Sequence, residues 1–466
     1  MKSKITVKSL CFISILLVTM VSYITLYNAS VLYSCVLAVW CVFFYNVCKD
    51  YKTNIVMLCF LISFFIFLLG REFIFEYLDV PRYYIFNDDI EIKTQICLLI
   101  SLFGLVIGTF IGRRLAPHDR LLRIDNDVVL KNVSKTLYYI FSIPLFIELF
   151  INITYIQNTG YINSYESNDS IVRVPLYISM FSGMTPMAFY LFLATKPEKS
   201  EAVFPILLYL FYSILTLLTG KRFPFVASLL IIAIYFVLRD SDKDRWLKKK
   251  YYYILAGGLP FLIVGLSVFD YVRVGNDIGY KNFIEMFIGF FDQLGGSINV
   301  IKRVIFYSDE LNPVMIYSFD GLTSLILENG IFKRIFDITV YEGNSAAHAL
   351  QGHSLAHTLS YLTYGNEYLL GRGVGSCYIA ELFHDFGYIG VFLGSILYGW
   401  VMKRISTIDF KSPYYIALAL AMINSLLLAP RGGFDSFLSR TFGIKELTVI
   451  GVVWGIANIW TYLRKS

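Results

Sequence analysis

The sequence predicts an all-α polytopic membrane protein with about 12 transmembrane helices, and two observations lead to this class. Of the 466 residues, 57% are hydrophobic and only 16% are charged, and the mean hydropathy is +0.62. The chain also contains many runs without Asp, Glu, Lys or Arg that are close to the ~20 residues needed to cross the hydrocarbon core. A soluble globular domain is therefore excluded.

The predicted helices follow these uncharged runs along the chain. The first run, Ser9 to Cys48, is twice the needed length, and the polar Asn28-Ala29-Ser30 divides it into two helices. Another helix, from Thr136 to about Tyr155, is interrupted only by Glu148, which should face the bundle and find a partner there. The remaining runs are Thr53 to Gly70, Thr94 to Gly112, Val174 to Thr195, Ala202 to Gly220, Phe223 to Leu238, Tyr251 to Phe269, Phe386 to Met402, Ser412 to Pro430 and Leu447 to Leu463.

The distribution of basic residues predicts the orientation. With both termini in the cytoplasm, 24 of the 40 Lys and Arg residues fall in cytoplasmic segments, as the positive-inside rule requires. The total net charge of +6 is small, and no long basic run is interleaved with aromatic residues, so nucleic acid is not an expected partner. The seven cysteines lack CxxC spacing, which argues against a zinc cluster and a disulfide framework.

We expect residues 1–466 to form a single integral membrane domain with one long outer segment. This segment, Asp270 to Asp385, lies between the predicted ninth and tenth helices and holds 116 residues. Its stretches Lys281 to Phe306 and Pro313 to Phe336 mix apolar clusters with charges, which predicts helices at the outer interface. Because long loops on a rigid scaffold commonly carry function, we expect the active site there.

Basic residues at the outer ends of helices predict a cationic ring. Guanidinium groups bind phosphate oxygens in pairs and stay charged, so such a ring suits a lipid-linked phosphate or pyrophosphate. The alternative is ordinary snorkelling of these side chains to lipid phosphates. The ring residues are Arg71, Lys221, Arg222, Arg273 and Arg431.

A glycine-rich loop forms the second candidate binding site. Gly371, Gly373 and Gly375 alternate around Arg372, and Ser376 has the chemistry of a helix N-cap, so the loop is expected to offer backbone amides to an anion.

On the helix that follows this loop, Glu381, His384 and Asp385 are spaced i, i+3 and i+4 and form a candidate acid/base cluster. The alternative reading is a solvated helix start with favourable acidic residues.

The histidines are concentrated in the outer segment, where His348, His353, His357 and His384 fall within 38 residues. A neutral imidazole can deprotonate a sugar hydroxyl near neutral pH. The i, i+4 spacing of His353 and His357 also fits zinc on a helix, but Ser354 replaces the glutamate that metalloproteases need. We predict no metal and no cofactor.

At these residues the sequence resembles the Wzy-type O-antigen polysaccharide polymerases of bacterial inner membranes. The similarity is strongest from Gly371 to Gly399, over GRGVGSCYIAELFHDFGYIGVFLGSILYG. It is weaker at Thr219-Gly220-Lys221-Arg222 and Pro430-Arg431-Gly432. Many spans with one large periplasmic loop also match that family's plan.

The resemblance implies an inverting, metal-independent glycosyltransferase of lipopolysaccharide biosynthesis. It would transfer a growing glycan from undecaprenyl pyrophosphate onto a new lipid-linked repeat unit at the periplasmic face, with a chain-length regulator as a candidate partner. Arg222, Arg273, Arg372 and Arg431, with Lys221, would neutralise the pyrophosphate. The catalytic candidates are His353, His357, Glu381, His384 and Asp385, of which His353 and His357 are favoured as the base by analogy with related ligases.

Three alternative functions remain. An O-antigen ligase could use the same arginines. A metal-dependent polyprenyl-phosphate sugar transferase usually has an acid in its first outer loop, and none is present here. A flippase of lipid-linked oligosaccharide would be expected to show internal repeats, whereas this chain places its bulk in one asymmetric segment.

Overall fold

The computed structural model is helical throughout the part of the chain that it describes. That part comprises residues 28–78, 80–82, 86–114, 128–160, 174–239, 246, 257–258, 261–269, 282–327, 333–335, 339–341, 343–408 and 412–465. Nine helices within these ranges are long and apolar enough to cross a membrane. They are Ala29–Lys49, Ile55–Tyr77, Asp88–Gly112, Val128–Thr159, Leu176–Ala194, Lys199–Thr219, Tyr378–Ser406, Pro413–Arg431 and Ser436–Trp460.

The predicted class of polytopic membrane protein is confirmed, and the bounds of the helices differ from the uncharged runs. The shorter Phe223–Arg239 helix matches the predicted eighth span. The predicted first span lies outside the described residues, as does much of the ninth, so the number twelve and the loop topology stay predictions. The Asp88–Gly112 helix begins six residues before its uncharged run, since acidic residues are stabilised at a helix N-terminus.

The Asp88–Gly112 and Tyr378–Ser406 helices pack with their backbones in close approach. A Cβ atom on Gly108 would lie 2.0 Å from the carbonyl oxygen of Ile396, and one on Gly399 would lie 2.3 Å from the carbonyl oxygen of Leu105. Only glycine fits at such separations, which is how small residues join helices within a membrane. This contact fixes the helix that carries Glu381 and His384.

A buried ion cluster attaches the outer segment to the spanning helices. The ammonium group of Lys302 lies 2.7 Å from a carboxylate oxygen of Glu72 and 2.7 Å from one of Glu91. Arg82 approaches Glu72 from the same region, with a nitrogen to oxygen distance of 3.5 Å. Because the Lys302 side chain is 3% exposed, the cluster fastens the helix that carries Lys302 to two spanning helices.

The described part of the outer segment contains several short helices. They are Phe283–Leu294, Ile298–Phe306, Asp320–Leu327, Ala346–Gln351, Leu355–Tyr364 and Asn366–Leu369. The second of these is buried from Ile298 to Ile305, so it lies among other helices. The placement of the segment at the membrane interface stays a prediction.

The predicted tenth span begins earlier than expected, because a helical piece precedes it. The Tyr378–Ser406 helix is broken at Gly387, where φ is 60° and ψ is −153°. The positive φ favours glycine at this position. Glu381, His384 and Asp385 therefore belong to a short helical piece that meets the outer segment before the main span begins.

Candidate functional site

Three of the four clustered histidines meet at one cavity. The cavity measures about 250 Å³, and its walls come from the Asp320–Leu327 helix on one side and the chain around residues 339–357 on the other. Its lining residues are Asp320, Thr323, Ser324, Leu327, Thr339, Tyr341, His348, Gly352, His353, Ser354 and His357. Imidazole, hydroxyl and carboxylate groups therefore face a common space.

His357 is held in a defined orientation at this cavity. Its Nδ1 atom lies 2.8 Å from the hydroxyl oxygen of Tyr368, and its ring stacks on that of His348 with centroids 3.8 Å apart. Burial, together with the neighbouring His348, lowers the pKa of His357 to about 4. The imidazole is therefore neutral at physiological pH, which is the form that accepts a proton.

His348 is oriented by the backbone. Its Nδ1 atom lies 2.8 Å from the carbonyl oxygen of Gly343. A carbonyl oxygen only accepts, so the proton of the neutral ring resides on Nδ1 and the lone pair on Nε2.

His353 lies in the same cavity but not on the helix of His357. That helix begins at Leu355, with Ser354 as its N-cap residue, so His353 precedes it. The i, i+4 spacing therefore does not place His353 and His357 on one helical face, because the chain is extended at Ser354 (φ −98°, ψ 111°). The cavity nonetheless brings both rings together.

Glu381 is buried, and its carboxylate is engaged in two hydrogen bonds. One oxygen accepts from the Ser376 hydroxyl at 2.5 Å, and the other accepts from the backbone N–H of Phe434 at 2.7 Å. Ser376 is not the N-cap residue that the sequence suggested. Cys377 occupies that position, because the Ser376 side chain turns to Glu381 instead.

His384 and Asp385 contact a different part of the outer segment. Asp385 accepts hydrogen bonds from the backbone N–H groups of Tyr317 at 3.2 Å and Ser318 at 2.7 Å. The Nδ1 atom of His384 lies 2.8 Å from the same carboxylate, whose side chain is fully covered. Glu381 thus shares a helical piece with His384 and Asp385 but has other partners, whereas His384 and Asp385 contact each other.

Backbone N–H groups of the glycine-rich loop donate hydrogen bonds to other parts of the protein. Gly371 and Gly375 have φ values of 103° and 74°, which favour glycine. The N–H of Val374 donates to the Ser360 hydroxyl at 3.0 Å, and the N–H of Arg372 donates to the carbonyl oxygen of Glu367. These two amides are therefore used within the fold, and an anion site at the loop stays a prediction.

Two guanidinium groups lie against one tyrosine close to this loop. Arg372 lies 4.3 Å from the ring centroid of Tyr364 and is paired with Glu367, and Arg303 lies 6.0 Å from the same ring. Tyr364 ends the helix that carries His357. This places Arg372 and the buried Arg303 at the far end of the helix whose first turn lines the cavity.

The other predicted ring residues lie near the Ile55–Tyr77 helix and its neighbours. Arg431 lies 5.8 Å from the ring centroid of Phe67, and Arg71 pairs with Asp292 at 2.9 Å. Arg222 donates to the carbonyl oxygen of Leu266 at 3.1 Å, and Lys221 beside it is exposed. Arg273 lies outside the described residues.

The structure also adds residues that the sequence reading missed. Asp320 lines the cavity, and Asp435 accepts a hydrogen bond of 2.5 Å from the N–H of Leu322. Burial, with the nearby charge of Asp320, raises the pKa of Asp435 to about 6. The sequence signal for Asp435 is a single acid two residues after Gly432-Gly433. The sequence signal for Arg303 is the pair Lys302-Arg303 inside an apolar run.

Comparison with known proteins agrees with the resemblance seen in the sequence. A family model described as O-antigen polysaccharide polymerase Wzy matches residues 5–464, nearly the whole chain. No curated protein and no solved structure matches the chain.

Proposed function

The chain belongs to the O-antigen polysaccharide polymerase Wzy family, and from that membership we propose the reaction in detail. The protein transfers a growing glycan from undecaprenyl pyrophosphate onto the non-reducing end of a new lipid-linked repeat unit. The reaction takes place at the periplasmic face of the bacterial inner membrane. The observation that carries this proposal is the histidine cavity, which unites proton acceptors with hydroxyl and carboxylate groups at the outer segment.

We assign the general base to His357. Its imidazole lines the cavity, is oriented by Tyr368 and is neutral at physiological pH. It takes the proton from the acceptor hydroxyl as that oxygen attacks the anomeric carbon of the donor. The bond from this carbon to the pyrophosphate oxygen breaks on the opposite side, so the configuration inverts and the pyrophosphate leaves with the electron pair.

His353 is the alternative base in the same cavity, since its ring also lines the walls. Glu381 and Asp385 suit a different role. Each carboxylate accepts hydrogen bonds from backbone N–H groups of distant segments, so each positions the chain around the cavity. His384 supports Asp385 through the contact at Nδ1.

The leaving pyrophosphate requires positive charge, and we propose that the arginines supply it. Arg372, Arg222 and Arg431, with Arg273 and Lys221, would bind and neutralise its oxygens without the aid of a metal. Arg303 and Arg372 both lie against Tyr364 at the end of the Leu355–Tyr364 helix, where Arg372 also pairs with Glu367. The excess of basic residues in the predicted cytoplasmic segments supports the orientation that puts this site on the periplasmic side. A chain-length regulator is the proposed protein partner.

The test is electrophoresis of surface polysaccharide from the native host after deletion of the gene. Complementation uses wild type, His357→Ala, Arg372→Ala and the control His118→Ala, whose residue lies in a predicted cytoplasmic loop. We expect the deletion to reduce the ladder to a band with one repeat unit, and only wild type and the control to restore it. Loss of every glycan-bearing band would indicate a ligase or a flippase. An unchanged ladder would refute the polysaccharide function.

A further inference from the structure

One face of the Asp320–Leu327 helix forms a polar wall of the histidine cavity. Asp320, Thr323, Ser324 and Leu327 line the cavity, and their spacing of i, i+3, i+4 and i+7 is that of a single helical face. The wall therefore presents a carboxylate and two hydroxyl groups, with an apolar residue at its end. The rings of Tyr341 and His348 belong to the same lining.

The wall is fixed from both sides by carboxylates of other elements. Asp385 accepts from the N–H groups of Tyr317 and Ser318, just before the helix. Asp435 accepts from the N–H of Leu322 at 2.5 Å, in the first turn. Gly321 is close to the same support, because a Cβ atom there would lie 2.4 Å from the Ser439 hydroxyl oxygen. The backbone that carries the polar side chains of the wall is therefore held in place before any ligand binds.

We propose that this helical face is the specificity wall of the acceptor site. It recognises the hydroxyl groups of the attacking sugar through hydrogen bonds. The inference rests on the proposed function and deepens it. Sugar hydroxyls both donate and accept, so they match a carboxylate that accepts and two hydroxyls that do either. The aromatic rings offer a surface for the apolar side of a sugar ring. The cavity volume is near the lower limit for ligand pockets, which suits one sugar ring and not a whole repeat unit.

A site built to hydrogen-bond a hydroxyl group rejects the analogue that lacks it, because buried polar groups are then left unpaired. The wall should therefore distinguish the native acceptor sugar from its deoxy analogues. Asp320 should contribute most, since a carboxyl group offers two oxygens that can accept hydrogen bonds.

The experiment measures binding and polymerisation separately with the full-length protein in nanodiscs. The ligands are the lipid-free repeat-unit oligosaccharide and analogues in which one terminal-sugar hydroxyl is replaced by hydrogen. The variants are Asp320→Asn, Thr323→Val and the milder Ser324→Ala. The matched control is Thr154→Val, an exposed threonine of a spanning helix. Gel filtration confirms that each variant is folded.

We expect Asp320→Asn and Thr323→Val to raise Kd for the native oligosaccharide by about tenfold or more. We also expect each to reduce the discrimination against one deoxy analogue, with the control unchanged. The proposed specificity wall is refuted if both variants keep the wild-type Kd and the wild-type discrimination while the wild-type protein polymerises. The proposed polymerase function stands in that case. If binding follows the expected pattern but wild type does not extend the glycan, the wall stands and the proposed function fails.

Discussion

The imidazole rings of His348 and His357 stack with centroids 3.8 Å apart and an angle of 23° between their planes. Two positive charges at this distance repel each other, so protonation of one ring opposes protonation of the other. The contact adds to the effect of burial, which lowers the pKa of His357 to about 4. The pair therefore keeps a neutral imidazole at the cavity throughout the physiological pH range.

The first prediction concerns pH. The groups that face His357 are His348, Tyr368 and, across the cavity, His353 and Asp320. If His357 is the base, kcat/KM should be flat from about pH 8 to pH 5 and fall only near pH 4, because the proton acceptor is lost when the ring is protonated. The measurement is initial rate against pH for wild type and His353→Ala, whose profiles should coincide. Loss of activity in His353→Ala, with the activity of His357→Ala retained, would assign the base to His353 instead.

The second prediction separates a positioning role of Glu381 from a catalytic one. Glu381→Gln keeps an oxygen for the N–H of Phe434 and an amide that can donate to Ser376, so activity should stay within a few-fold of wild type. Glu381→Ala should lower thermal stability, since an unpaired buried N–H costs about 1–3 kcal/mol. Activity and melting temperature are measured together. Equal loss of activity, by about 100-fold, in both variants would instead identify Glu381 as the base.

The third prediction concerns the buried ion cluster. Lys302→Met removes the partner of both Glu72 and Glu91 and leaves two carboxylates in a buried site. We expect a loss of about 3–5 kcal/mol in the free energy of unfolding. The control is Lys93→Met, whose partner Asp89 is 47% exposed, and a surface pair contributes only about 0–1 kcal/mol. Denaturant titration in detergent gives both values, and similar losses in the two variants would contradict the anchoring role.

The fourth prediction concerns the close contact of the Asp88–Gly112 and Tyr378–Ser406 helices. Gly108→Ala puts a Cβ atom 2.0 Å from the carbonyl oxygen of Ile396, so the helices must separate. We expect a destabilisation of about 1–3 kcal/mol and lower activity, because the second helix carries Glu381 and Asp385. Gly451→Ala is the matched control, since nothing lies within 4 Å of its added Cβ. Unchanged melting in Gly108→Ala would show that the two helices are not packed this closely.

The fifth prediction concerns the arginines. Lysine keeps the charge but loses the two-pronged geometry, so Arg222→Lys and Arg372→Lys should each lower activity about tenfold or more if they bind pyrophosphate in pairs of hydrogen bonds. The control is Arg440→Lys, at an exposed position. The assay follows extension of lipid-linked repeat units. Full activity in both variants would remove the proposed pyrophosphate clamp.

Hydropathy predicts the membrane class because a bilayer imposes the same length and polarity on every spanning helix. The helix bounds depend on more than hydropathy. Asp88 and Asp89 extend a span at its start, and Gly387 separates the helical piece that carries Glu381 from the span that follows. Charge at a helix start and a positive φ are local effects, yet neither changes the average hydropathy of the run.

The candidate site was predictable in part. The concentration of His348, His353 and His357 in one segment indicated proton transfer there, and the structure brings these rings to one cavity. The same reading did not identify Asp320 or Asp435. An isolated acid has no periodicity and no motif, so its partners become visible only when the chain is folded.

By itself, the sequence determined the helical membrane class, most of the spans and the region of the histidines, because hydropathy and residue type are local properties. Only the tertiary structure decided which groups meet. Glu381 binds the backbone of Phe434, 53 residues later, and Lys302 pairs with Glu72, 230 residues earlier. A buried carboxylate or ammonium group must find partners to offset its lost hydration. Which partners it finds depends on how distant helices pack, and a linear pattern contains no record of that packing.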